Sequence, residues 1–119
     1  MRLSSARPVT LIGGAPVGRA DLDLALRLAP VVAAADSGAD TALSHGLMPA
    51  AVWGDFDSIS ARARSEIPLA NQHPIAEQDS TDFTKCLTRI AAPFVMAVGF
   101  AGLRLDHTLA ALNTMAPAS

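Results

Sequence analysis

Two carboxylates, Asp55 and Asp57, stand two positions apart in Trp53-Gly-Asp-Phe-Asp-Ser58, directly after an apolar run. In an extended segment residues i and i+2 point to the same side, so both acids can face one ligand while Phe56 turns back into the protein. Such a pair suits magnesium, which takes hard oxygen ligands and is commonly held by one or two carboxylates plus substrate phosphates. Taken alone, the stretch reads equally well as a polar turn closing a strand. A second acidic cluster, Asp79-Ser-Thr-Asp82, follows about twenty residues later and shifts the balance toward a metal site. Its plainer reading is a helix cap by Asp79 with Asp82 in the first turn, worth about 1 kcal/mol. Lys85, on the same polar face as Asp82, is either a phosphate contact or a solvated lysine. Further along, Gly99-Phe-Ala-Gly102 leads into Arg104-Leu-Asp106-His107, a turn that presents an arginine, an acid and a histidine at a helix start. Arginine grips phosphate oxygens with a bidentate fork; for His107 a capping or core role stands beside a role in the site. Gly13-Gly14-Ala-Pro-Val-Gly18 has neither the dinucleotide fingerprint nor the Lys-Ser/Thr of a Walker loop. It either offers backbone N–H groups to a phosphate or is a tight turn.

The elements that must position these residues alternate. Val9-Thr-Leu-Ile12 is short, β-branched and apolar, a buried strand that ends at the glycines. A helix is expected over 20–29, where Leu22, Ala25, Leu26 and Ala29 recur at helical spacing, Asp23 and Arg27 form an i,i+4 pair, and Pro30 stops the element. A second buried strand over 31–35 runs into Asp36-Ser-Gly38. Asp40 is expected to cap a short helix through Ser44 that Gly46 closes. A third strand over 51–53 delivers Asp55 and Asp57, and Ser60 caps a helix reaching Glu66 before Pro68. A short or edge strand is expected near 74–76. Phe83, Cys86, Leu87, Ile90 and Ala91 follow the i, i+3, i+4, i+7, i+8 pattern of a helix with Asp82, Lys85 and Arg89 on its polar face. A strand over 94–98 ends at Gly99, and 106–115 reads as a last helix.

Strands alternating with helices predict a Rossmann-like three-layer α/β/α domain with a mainly parallel sheet and right-handed crossovers. Ligands in such sheets bind at the carboxyl ends of the strands, near the point where strand order reverses. Gly13-Gly14, Asp36-Ser-Gly38, Gly54-Asp55, Asp57 and Gly99 all fall at expected strand ends. Packing alone does not confine glycines and acids to one rim, so this convergence is the main argument for a site.

The totals narrow the classes. The 119 residues, half of them hydrophobic, fit one domain over 1–119 with a sizeable core. A net charge of −2 and the absence of any Lys/Arg run leave no electrostatic footprint for nucleic acid. Cys86 is the single cysteine, which rules out an intrachain disulfide framework and fits a reducing compartment. No apolar stretch reaches membrane-spanning length, and the first residues run into a strand-like segment rather than a signal-peptide core. The expectation is a cytoplasmic protein bound to no membrane.

In order along the chain, Ala35-Asp-Ser-Gly-Ala39, Gly54-Asp-Phe-Asp-Ser58, Gln78-Asp-Ser-Thr-Asp-Phe-Thr-Lys85 and Gly99-Phe-Ala-Gly-Leu-Arg-Leu-Asp-His107 resemble the motifs of thiamine pyrophosphokinases. The resemblance runs from Val9 to Leu112. It implies an α/β catalytic domain that in the family is followed by a β-sandwich domain, a homodimer, and transfer of pyrophosphate from ATP to the hydroxyl of thiamine, giving thiamine diphosphate and AMP. It also implies that Asp55, Asp57, Asp79 and Asp82 hold magnesium at the catalytic centre, that Gly13, Gly14, Asp36, Ser37, Gly38, Lys85 and Arg104 contact ATP and its phosphates, and that Asp106 and His107 lie on the thiamine side. The chain departs from the family pattern at Ser37-Gly38 and Gly102-Leu103, where two glycines are usual, and at Ala111, where an asparagine is usual. The β-sandwich is expected to be absent, since the sequence stops at Ser119, and the isolated domain is expected to turn over thiamine poorly.

Two rival readings come from other classes. Asp-Phe-Asp-Ser after a strand superficially resembles the aspartate pair of haloacid-dehalogenase-type phosphatases, but that family carries Thr or Val where Ile59 sits and places the pair on its first strand. The other rival is a non-catalytic nucleotide-binding module.

Overall fold

A computed structural model describes residues 3–54, 59–74 and 89–100. Within them seven strands and three α-helices follow the chain: β1 (Leu3–Ser4), β2 (Val9–Ile12), α1 (Arg19–Leu28), β3 (Val31–Ala35), α2 (Gly38–Ser44), β4 (Ala51–Gly54), α3 (Ala61–Glu66), a 3₁₀ turn (Leu69–Asn71), β5 (Gln72–Pro74), β6 (Ile90–Ala91) and β7 (Val95–Val98).

The short β-branched and alanine-rich runs form strands because they are buried on both faces, which a parallel sheet under helices requires. All four residues of β2, β4 and β7 are buried. Five strands line up in the order β5-β4-β3-β2-β7, and every ladder is parallel. The register aligns Ile12 with Ala34 and Val98, and Ala34 with Val52, so these side chains share one face. That face is covered by Leu22 and Ala25 of α1, by Ala39 and Ala42 of α2, and by Ala63 of α3. The other face carries Val9, Leu11, Ala33, Ala35, Trp53 and Val95, against which Leu3, Ile90, Ala92 and Phe100 pack. The fold is therefore α/β with a parallel sheet, as the alternation of elements predicts.

From β2 to β5 the chain steps across the sheet in one direction, and then β7 returns to the free side of β2. Strand order thus reverses between β2 and β7, which makes their carboxyl ends the switch point. One buried polar side chain supports this centre. The hydroxyl of Thr10, fully buried in β2, donates to the carbonyl of Ala29 at 2.7 Å and ties the end of α1 to the sheet.

Several boundaries differ from the sequence expectation. Asp23 pairs with Arg19 at 3.0 Å, not with Arg27; Arg19 is already held near by donating to Nδ1 of His45 at 3.0 Å. The helix α2 starts at Gly38 after Ser37, so Asp40 lies in its first turn rather than capping it. A strand at Gln72–Pro74 overlaps the one expected near 74–76, whose last two positions lie outside the described residues; among the described residues it is the outermost strand, a place where proline is tolerated. Ile90–Ala91, expected as the end of a helix, instead pairs in parallel with Leu3–Ser4. Arg89, expected on the polar face of that helix, is a turn residue, and the positions before it as well as the helix expected over 106–115 lie outside the described residues.

Candidate active site at the carboxyl rim of the sheet

The rim is built where β2, β3, β4 and β7 end. Beyond β2, the amide of Gly13 donates to the carbonyl of Val98 at 2.8 Å and that of Ala15 to Gly99 at 2.7 Å, so the glycine turn prolongs the β2/β7 ladder across the switch point. Beyond β3 the chain turns sharply. Asp36 has φ of 49°, a left-handed conformation that aspartate tolerates better than most residues. Its amide donates to the carbonyl of Trp53 at 2.8 Å, while its own carbonyl accepts from Ala39 at 3.1 Å as α2 begins.

This turn brings α2 against the glycine loop. The Cα of Gly38 packs on the end of β2 so closely that a Cβ would meet the carbonyl oxygen of Ile12 and lie 2.7 Å from its carbonyl carbon. The hydroxyl of Ser37 faces the Cα of Gly14. Gly13, Gly14, Asp36, Ser37 and Gly38, all singled out in the sequence, are thus brought together.

Beyond β4 the chain leaves through Gly54, whose φ of 148° few side-chain-bearing residues adopt. A Cβ there would clash with Oδ1 of Asp36 and lie 2.5 Å from its Cγ. The Asp36 carboxylate therefore sits on Gly54, immediately before Asp55. The chain re-enters the described structure at Ile59, which is buried among Ala34, Ala39, Val52, Ala63 and Ile67. Ser60 then caps α3 by accepting from the amide of Ala63 at 3.0 Å. Both anchor points of the stretch 55–58 are therefore described. Asp55, Asp57, Asp79, Asp82, Lys85, Arg104, Asp106 and His107 themselves lie outside the described residues, and among the described residues no three acids, histidines or cysteines gather as a metal cluster.

Two features of the rim escaped the sequence. One is the seating of Asp36 on Gly54, for which the only signal was a glycine before an acid. The other is the bond between Asp40 and Ser60, twenty positions apart, for which no local pattern exists.

The model of the thiamin pyrophosphokinase catalytic domain matches residues 22–119, most of the chain. The chain belongs to this family. Among solved structures, thiamin pyrophosphokinase from Geobacillus thermodenitrificans is similar at 28% identity and a TM-score of 0.61, over 84% of this chain and 50% of that one. Thiamine pyrophosphokinase from Bacillus subtilis is similar at 25% identity and a TM-score of 0.59, over 87% of this chain and 51% of that one. Thiamin pyrophosphokinase from Candida albicans shares the fold at 22% identity and a TM-score of 0.56, over 73% of this chain and 34% of that one. The chain thus spans about a third to a half of the length of these thiamin pyrophosphokinases. Comparison with curated proteins gave no match. Among the described residues no helix is long and apolar enough to cross a membrane.

Proposed function

We propose that the chain is the catalytic domain of a thiamine diphosphokinase, transferring the β,γ-pyrophosphoryl group of ATP to the hydroxyl of thiamine. The observation that carries this reading is the seating of the Asp36 carboxylate on Gly54. It sets an acid from the end of β3 against the last described residue before Asp55 and Asp57 in the sequence. Carboxylate oxygens from neighbouring strand ends are the hard donors that magnesium takes, usually together with substrate phosphates. A carboxylate repels a bare phosphate, so Asp36 fits better with the metal-holding acids than among the direct phosphate contacts.

Asp55, Asp57, Asp79 and Asp82, joined by Asp36, would hold Mg²⁺. When bound there, the ion would supply charge neutralisation on the phosphate oxygens. The glycine turn at Gly13 and Gly14 and the side chains of Lys85 and Arg104 bind the triphosphate, and Asp106 and His107 line the thiamine side. One of the aspartates orients the thiamine hydroxyl, whose oxygen forms a bond to the β-phosphorus. The bond from that phosphorus to the α,β-bridging oxygen breaks, AMP departs with the bridging oxygen, and the hydroxyl proton passes to solvent. Little covalent chemistry is asked of the protein; positioning and electrostatic stabilisation carry the rate. A homodimer and a cytoplasmic location belong to the same reading, with support from the family alone.

Product analysis tests it. With ATP, magnesium and thiamine, the expected products are AMP and thiamine diphosphate in equal amounts. Inorganic phosphate as the product would favour a phosphatase, and binding without any product a nucleotide-binding module.

A further inference from the structure

The crevice between the ends of β2 and β7 is closed by the chain itself. Gly13 and Ala15 donate their amides to Val98 and Gly99 beyond the strand ends. A Cβ on Gly13 would lie 2.5 Å from the carbonyl oxygen of Gly99 and 2.8 Å from the ring of Phe100, so this buried residue is covered. Gly14 differs. It is exposed, its amide takes no part in that ladder, and the hydroxyl of Ser37 stands over its Cα. Ser37 precedes α2 but makes no capping bond, and its hydroxyl has no hydrogen-bonding partner among the described residues. The open part of the rim therefore runs from Gly14 past Ser37 and Asp36 to Gly54.

Along that line two consecutive side chains differ in kind. Ser37 turns to the end of β2 and offers an uncharged donor, whereas Asp36 turns to the end of β4 and offers a carboxylate. A bare phosphate is repelled by a carboxylate and welcomed by a hydroxyl and a backbone amide. Metal ions on a nucleoside triphosphate bridge its β and γ oxygens. Resting on the reading of this rim as a magnesium–ATP site, we propose that Gly14 and Ser37 form a metal-independent subsite for AMP, the leaving group of the transfer. The amide of Gly14 and the hydroxyl of Ser37 donate to the α-phosphate, and the metal-carrying β and γ phosphates lie toward Asp36 and Gly54. The nucleotide thus crosses the rim with a fixed polarity. Metal-free ATP gains little from the subsite, because its bare β and γ phosphates meet the Asp36 carboxylate.

Isothermal titration with AMP in EDTA and with ATP in Mg²⁺ tests this on the parent, Ser37→Ala and Asp36→Asn, with thermal melts alongside. AMP is expected to bind the parent without metal, more weakly than magnesium–ATP. Ser37→Ala is expected to weaken both ligands by about tenfold, the worth of one hydrogen bond to a charged acceptor. It is expected to melt with the parent, because no helix cap is lost. Asp36→Asn keeps a residue type that tolerates the left-handed turn. It is expected to weaken magnesium–ATP by about tenfold and to bind AMP at least as tightly as the parent, since a negative charge is gone. AMP bound at parental strength by Ser37→Ala overturns the proposal, as does a loss confined to magnesium–ATP in that variant. AMP weakened as much by Asp36→Asn as by Ser37→Ala overturns the polarity. A parent that binds magnesium–ATP but not AMP also overturns the proposal, and in all these cases the magnesium–ATP reading stands. A parent that binds neither ligand overturns both.

Discussion

The carboxylate of Asp36 rests on the Cα of Gly54, bridging the ends of β3 and β4. Only a residue without a Cβ allows that seating, and the φ of 148° at Gly54 excludes most alternatives independently. Gly54→Ala is therefore expected to lower stability by about 1–3 kcal/mol through backbone strain alone, with displacement of Asp36 adding to it. Urea unfolding measures the first effect. Loss of magnesium-dependent ATP binding in the fraction that still folds measures the second.

Thr10 makes the one buried side-chain hydrogen bond between β2 and the end of α1, at 2.7 Å to Ala29. Thr10→Val keeps the shape and removes the donor, so a loss of about 1–2 kcal/mol is expected in urea unfolding. ATP binding is expected to be unaltered, because Thr10 lies inside the sheet, before the rim. A stability equal to the parent would show that Ala29 finds another partner.

The strands were legible in the sequence because burial on both faces leaves an unambiguous apolar run, as in Val9-Thr-Leu-Ile12 and Val31-Val-Ala-Ala-Ala35. The helix α3 was legible from its cap, Ser60, and its stop, Pro68. What was not legible depends on distant partners. Asp40 has the residue type and position of a cap, yet its carboxylate is used by Ser60 in the next helix, so the start of α2 moves to Gly38. Ile90 and Ala91 complete a helical period, but a pairing with Leu3 and Ser4 nearly ninety positions away makes them a strand. In the site, the convergence of Gly13, Gly14, Asp36, Ser37 and Gly38 could be read from their places at strand ends. The direction of the Asp36 carboxylate could not, since it follows from a left-handed turn that nothing in Asp-Ser-Gly demands.

His73 lies on the edge strand with its ring 6.1 Å from that of Trp53. Partial burial there lowers its pKa below the usual 6.5, because desolvation disfavours the charged ring. Below pH 6.5 the unfolded chain takes up a proton that the folded protein resists at this position. The contribution is therefore full above that pH and is lost as the pH falls through the lower folded value. Unfolding followed at pH 8, 6.5 and 5 is expected to show this decline in the parent and a shallower one in His73→Gln. Identical slopes would remove His73 as a source of acid sensitivity.

Asp57 and Asp82 are proposed to hold the metal and not to serve packing. Asp57→Asn and Asp82→Asn are expected to melt within a few degrees of the parent while losing magnesium-dependent ATP binding by about tenfold or more. Binding of magnesium–ATP at parental strength by either variant would return that acid to a structural role.

The carboxyl rim of this sheet is proposed to be a magnesium-dependent ATP site. Isothermal titration of ATP into the protein, once with Mg²⁺ and once with EDTA, measures it directly. Saturable one-to-one binding with Mg²⁺ that collapses when the metal is removed is the expected result; binding of equal strength in EDTA would rule the site out.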